Sequence, residues 1–157
     1  MMIVNDELFG CLEYKYDWVG RCNINIFNQK WDVELAIEGE VKNGITMLQR
    51  ETYNRFMEKQ AEIMQKVEVA IFEYYQSICE EYRAMFEEKA DRYAPKVEKV
   101  SDLASMVKPI SVIIEYPELP KRKIALLFNT KWDIELGIGM RLVDEEVTFI
   151  GAQCDVI

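Results

Sequence analysis

Polar and apolar residues alternate along Trp31-Asp32-Val33-Glu34-Leu35-Ala36-Ile37, with Trp31, Val33, Leu35 and Ile37 on one side and Asp32, Glu34 and Glu38 on the other. Period two with one apolar face predicts a half-buried antiparallel strand. The pattern changes after Ile45. From there to Ala94 the chain has no Pro or Gly, and Tyr53, Phe56, Met64, Val67, Ile71, Tyr74, Ile78, Tyr82 and Met85 recur mostly at spacings of three and four. That stripe predicts helix. An unbroken helix over 46–92 would be about 70 Å long at ~1.5 Å per residue, too long for a domain of this size. Two helices or one bent helix are therefore expected, with the break near Gln60, which interrupts the stripe. Thr46-x-x-Gln49 reads as a capping box at the start and Pro95 as the end. Ser101-Asp102 reads as the cap of a short helix over 103–107, stopped by Pro109. Strands are predicted again over 111–115, 124–128, 132–142 and 147–150, with turns at 116–120, 129–131 and 144–146.

The strand signal is duplicated. Phe27-Asn28-Gln29-Lys30-Trp31-Asp32-Val33-Glu34-Leu35-Ala36-Ile37 matches Phe128-Asn129-Thr130-Lys131-Trp132-Asp133-Ile134-Glu135-Leu136-Gly137-Ile138 at eight of eleven positions. Each copy reads as Phe ending a strand, Asn favouring a turn because it tolerates φ > 0, and an alternating strand after it. The reading is one domain over 1–157, with strands over 7–44 (first repeat), helix over 46–107 and strands over 109–157 (second repeat). The expected fold class is α+β: antiparallel sheet(s) from two duplicated strand hairpins, with a central long or kinked helical segment packed on one face. A chain of 157 residues can bury about 68–70% of its unfolded surface, so it needs no disulfide or metal to hold it.

Charge narrows the partners. There are 28 acidic and 19 basic side chains and no histidine, a formal net charge of −9. Nucleic-acid affinity comes mostly from Lys and Arg, so neither nucleic acid nor an anionic membrane is an expected partner, whereas a basic protein would be attracted. Cys11, Cys22, Cys79 and Cys154 form no C-x-x-C pair and are expected to be reduced, with no metal and no other cofactor. The first residues, Met1 to Glu7, carry no leader pattern, and no apolar run approaches the ~18 residues of a membrane helix. Cytoplasm is the expected location.

No catalytic apparatus is legible. The absence of histidine removes the commonest general base and the usual triads. Gly137-x-Gly139 lacks the rest of a dinucleotide fingerprint and is expected to mark a bulge or a close backbone approach. Asp32/Glu34 and Asp133/Glu135 are spaced carboxylates, each pair about 7 Å apart along a strand at ~3.3 Å per residue. That spacing suits a glycosidase pair or a calcium ligand set, and it equally describes a solvated strand face. Trp31 and Trp132 head apolar faces and are expected in the core, while Trp18 has no such pattern and is compatible with an exposed position. The helical zone turns acidic over 67–91, with seven acids against Arg83 and Lys89. Glu73, Glu80, Glu81, Glu87 and Glu88 are the candidate docking surface for a basic partner, with a solvated helix face as the plainer alternative.

Trp132-Asp133-Ile134-Glu135-Leu136-Gly137-Ile138-Gly139, then Val147 and Ile150-Gly151-Ala152-Gln153, together with Tyr74-Tyr75, resemble a family of small bacterial domains of unknown function with a C-terminal W-D-x-E-x-G-x-G strand motif. The likeness covers most of the chain. Members often have His after the Glu, where this chain has Leu136, and Asp directly after the Gln, where this chain has Cys154 before Asp155. Leu136 argues against a role for that histidine here. Some members look like immunity proteins encoded beside toxins, so the resemblance implies a cytosolic inhibitor of a cognate toxin. The functional reading is a non-enzymatic binding protein with a basic partner. A hydrolase using the strand carboxylates and a structural, self-associating module are the alternatives; the oligomeric state is open.

Overall fold

Thr46 Oγ1 accepts the Gln49 N–H at 3.1 Å, and Gln49 Oε1 accepts the Thr46 N–H at 3.1 Å. In the structure, a computed structural model that describes residues 2–157, this capping box starts α1 (Met47–Glu58). Only Lys59 separates α1 from α2 (Gln60–Phe86), so the chain breaks where the stripe was interrupted. Gln60 is not idle there. Its side chain accepts the Asn25 N–H at 2.9 Å and donates to Asn23 O at 3.2 Å, pinning the helix start to a strand. After α2 come a 3₁₀ turn (Glu87–Lys89), the short α3 (Ala90–Tyr93) and a second 3₁₀ turn (Val100–Ser105). Asp102 does cap, accepting the N–H groups of Glu98 and Lys99, but the turn ends at Ser105, and Pro109, expected to stop a helix over 103–107, lies inside a strand.

The buried side of α2 is Ile63, Met64, Val67, Ile71, Tyr75 and Cys79. The expected stripe drifts from this beyond Ile71. Tyr74, Ile78 and Tyr82 lie on its flank, half-buried, and Met85 is 68% exposed. The i, i+4 series 67–71–75–79 wins because it keeps one face turned to the sheet over three turns.

Among the described residues, eight strands form one sheet in simple chain order: β1 (Met2–Asp6), β2 (Gly10–Tyr14), β3 (Trp18–Ile26), β4 (Gln29–Ile37), β5 (Val107–Ile114), β6 (Lys123–Thr130), β7 (Ile138–Val143) and β8 (Glu146–Gly151). β1 lies before the zone expected to hold strands. All neighbours are antiparallel except β4 and β5, which run parallel. A parallel pair needs a long crossover, and the whole helical zone supplies it. Register aligns Leu35, Val112, Leu126 and Met140 across the adjacent strands β4 to β7, and all four are buried. This apolar face packs on the helices, giving the α+β fold expected. α2 reaches β3 on one flank, where Glu68 accepts the Phe27 N–H at 3.0 Å, and β8 on the other, where Lys66 meets Glu146 at 2.5 Å. The twist that accumulates over many strands brings both to one helix.

The two repeat copies fold differently. In the first, Phe27 and Asn28 take φ of 51° and 60°, a two-residue hairpin turn, and β4 alternates as expected. In the second, β6 runs straight on through Phe128, Asn129 and Thr130, so Asn129 makes no turn. Residues 131–137 form a loop, although strand was expected from Trp132 onward, and β7 begins only at Ile138. Ile134 is consequently 85% exposed. Asp133 and Glu135 are therefore loop carboxylates, not strand ones. The copies are not equivalent in the sheet either, since one joins β3 to β4 and the other β6 to β7.

Trp132 is in the core, 3% exposed, with its ring centroid 4.5 Å from that of Tyr75. Such a pair adds about 0.5–1.5 kcal/mol beyond area burial. Trp31 is half-buried against the same core. Trp18, for which an exposed position was open, is buried: it lies opposite Ile37 in β4 and against Tyr14, ring centroids 4.9 Å apart.

Candidate functional site

The second repeat copy, the C-terminal turn and α2 meet at one place. Asp133 Oδ1 accepts the N–H groups of Glu135 and Leu136 at 3.2 and 2.9 Å, and Gly137 N–H donates to Asp133 O at 3.0 Å. This closes a single helical turn with Asp133 as its cap. Tyr82 on α2 donates its hydroxyl hydrogen to Asp133 Oδ2 at 2.6 Å. From the other side, Gln153 donates its side-chain amide to Phe128 O at 2.7 Å and its backbone N–H to Leu136 O at 2.9 Å. A Cβ on Gly139 would fall 2.4 Å from Ala152 O, so the close backbone approach expected at this glycine is present. The residues of the W-D-x-E-x-G-x-G segment and of Gly151-Ala152-Gln153 thus lock the C-terminus onto β6 and α2. Both Asp133 oxygens are engaged in that work.

The four expected strand carboxylates do not converge. Asp32 and Glu34 are exposed on the outer face of β4, where Arg21 lies opposite Glu34 and its guanidinium reaches Asp32 at 3.4 Å. Glu135 is exposed in the loop, and Asp133 is held as above. None of the cavities described below is lined by any of them.

The acids of the helical zone are open to solvent. Glu73, Glu80 and Glu81 are exposed on α2, and Glu87 and Glu88 on the 3₁₀ turn that follows. Glu73 and Glu80, seven residues apart, share the outer ridge of the helix. Among the described residues none of the five makes an ion pair. Glu73 borders a groove of about 520 Å³ between α2 and the edge strand β8, floored by Ala70, Tyr74, Val147 and Ile150. Burial, with Asp155 and Asp133 close by, raises the pKa of the Tyr74 phenol above its ordinary value. Tyr74 and Tyr82 had read as plain members of the apolar stripe. The Tyr82 hydroxyl is spent on Asp133, 51 positions along the chain, a contact the stripe could not signal.

A smaller pocket, about 190 Å³, lies at the carboxyl ends of the parallel pair β4 and β5, beside the N-terminus of α1. Gln49 is buried beneath it and donates to Glu38 O at 2.6 Å and Glu115 O at 3.1 Å, capping both strand ends. The half-buried Glu38 carboxylate accepts the Tyr116 N–H at 2.9 Å. Burial raises its pKa, the Tyr116 bond lowers it, and nearby Glu115 and Asp17 raise it further. Arg141 is the cation nearest in effect, and it is held by Glu115 through two bonds of 2.7 and 3.0 Å. Sequence reading had placed Glu38 on a solvated strand face. The return of the chain at Tyr116, which half-buries it, is non-local.

Buried Cys22 has its thiol pushed up to about 11 by desolvation, which makes it a poor nucleophile. Among the described residues no group of three metal-ligating side chains gathers, and no helix is long and apolar enough to cross a membrane. No curated protein and no solved structure matches the chain. A model of a domain of unknown function matches residues 8–157, almost the full length, and the chain belongs to that family, DUF6985.

Proposed function

We propose that the protein is a non-enzymatic binding protein whose partner is a basic protein, in the manner of an immunity-type inhibitor of a toxin. The observation that carries this reading is the run of exposed, unpaired acids along the second half of α2 and just past its end: Glu73, Glu80, Glu81, Glu87 and Glu88. Of these, Glu87 and Glu88 lie just past Phe86, where negative charge opposes the macrodipole of α2. An acidic ridge on a protein of net charge −9 speeds encounter with a basic surface and rejects acidic ones. The free thiols fit a cytoplasmic setting. The hydrolase alternative gains nothing from carboxylates that share no cleft.

The test is calorimetric titration with the product of the gene adjacent to this one. The expected result is a saturable complex that weakens with salt, protects cells from that product, and loses about tenfold in affinity on joint reversal of Glu80 and Glu81 to Lys. Absence of both complex and protection overturns the reading.

A further inference from the structure

The acidic ridge borders a groove, and the groove has a floor that the ridge alone does not explain. Val147 and Ile150 of β8 pack on the core from the edge of the sheet, and Phe149 beside them is 39% exposed. A shallower trough of about 330 Å³ continues the groove along α2 over Val69, which is 46% exposed. The acid on the rim is Glu73, exposed on the helix and without an ion-pair partner among the described residues, and Asp133 and Asp155 lie close enough beneath to raise the Tyr74 pKa. Among the described residues the one base lining the groove and trough is Lys66, which already meets Glu146.

Three occupants are conceivable, and charge and backbone separate them. A second copy of this chain brings the same rim and the same net charge of −9, so self-docking is opposed. An added β-strand needs a regular free edge. β8 is bulged at Thr148, because Leu142 pairs with Val147 and Arg141 with Phe149, and a bulge blunts an edge. What remains is recognition by side chains: apolar anchors on the Ala70–Val147–Ile150 floor, flanked by Lys or Arg against the rim.

We infer that the α2–β8 groove is the docking site for a segment of the basic partner in which apolar side chains are flanked by Lys or Arg. This rests on the basic-partner reading above and adds where and how that partner is held.

The probes are two fluorescein-labelled peptides of equal length and charge, one of Lys and Leu, the other of Lys and Ser, followed by anisotropy at low and at physiological salt. The protein is compared with Glu73→Arg, with Phe149→Ser, and with Glu87→Arg/Glu88→Arg, all at exposed positions, and folding of each is checked by circular dichroism. The expected result is tighter binding of the Lys/Leu peptide, weakened about tenfold by either groove variant and less than twofold by the Glu87/Glu88 pair. Equal binding of both peptides, weakened alike by all the acid reversals, overturns the groove and leaves the basic-partner reading standing. No binding of either peptide at low salt overturns both. A concentration-dependent dimer that Phe149→Ser dissolves assigns the groove to a second copy and overturns the inference.

Discussion

Tyr82 on the long helix holds Asp133 at 2.6 Å, while Asp32, the residue at the matching position of the first repeat copy, faces solvent beside Arg21. One sequence motif therefore carries a structural aspartate in one copy and a surface aspartate in the other. Tyr82→Phe removes a bond to a charged acceptor and is expected to cost about 1–2 kcal/mol. Asp133→Ala removes that bond and the two turn bonds to Glu135 and Leu136, for roughly 2–4 kcal/mol. Asp32→Asn is expected to change stability by less than about 0.5 kcal/mol. Urea unfolding of the three variants decides it, and equal effects at Asp32 and Asp133 would contradict the assignment.

The same comparison can be made with backbone. Gly137 and Ala36 are matching repeat positions, and Gly137 has a φ of +55°. A Cβ there would fall 2.4 Å from Phe128 O and 2.4 Å from Gln153 Nε2. Gly137→Ala is expected to destabilise by about 2–4 kcal/mol, from left-handed strain plus a clash with backbone. Ala36→Gly, in a regular strand, costs about 0.5–1 kcal/mol. Thermal melts that rank the two in the opposite order would show that the loop relaxes around a side chain.

This pair also marks what was legible. The period-two face of β4, the capping box at Thr46 and the break at Gln60 all follow from local pattern, and the fold has them; Trp132 is buried as expected, but from a loop and not from the head of a strand. The second copy misled because eight identical residues outweigh three differences by eye, yet two of the differences are the ones that matter. Thr130, β-branched, continues β6 where Gln29 begins a new strand, and Gly137 admits a turn that Ala36 does not. Glu73, Glu80 and Glu81 of α2 could be read as exposed from helical spacing, and they are. Their groove could not, because its other wall, β8, comes from residues about eighty positions away along the chain. The sequestered environment of Glu38 depends on the same kind of distant return, at Tyr116.

Glu38 gives a pH-dependent prediction. Its folded pKa is raised by burial and by Glu115 and Asp17, against the opposing Tyr116 bond and Arg141. A raised carboxyl favours the protonated folded state, so its contribution is fully present below the unfolded value of about 4.3 and is lost as pH rises through the folded value. Gln at this position cannot ionise and still offers an oxygen to the Tyr116 N–H. Glu38→Gln is therefore expected to raise the melting temperature at neutral pH and to leave it unchanged below about pH 4. A Tm gain that persists undiminished in acid would point to packing and not to ionisation.

Asp6 and Arg50 give the opposite sign. The Arg50 guanidinium donates two bonds to the Asp6 carboxylate, at 2.9 and 2.7 Å, tying α1 to the end of β1. Asp6 Oδ1 also accepts the N–H groups of Leu8 and Phe9 in the turn to β2, and Arg50 lies over the Phe9 ring at 5.4 Å. The Arg50 bonds hold the Asp6 carboxyl well below the usual carboxylate range despite partial burial. A depressed folded pKa contributes stability above the unfolded value of about 3.9, and that contribution is lost as pH falls through the folded one. Asn at position 6 keeps the turn acceptor and loses only the charge pair. Arg50 is 37% exposed, so solvent screening reduces what the pair is worth. Asp6→Asn is therefore expected to cost about 1–2 kcal/mol at pH 7, with the gap to the parent narrowing steadily below about pH 4. Denaturant midpoints across that range measure it directly. A gap that stays constant into acid would mean that the loss does not follow ionisation of Asp6, and that its ion pair with Arg50 adds nothing to stability.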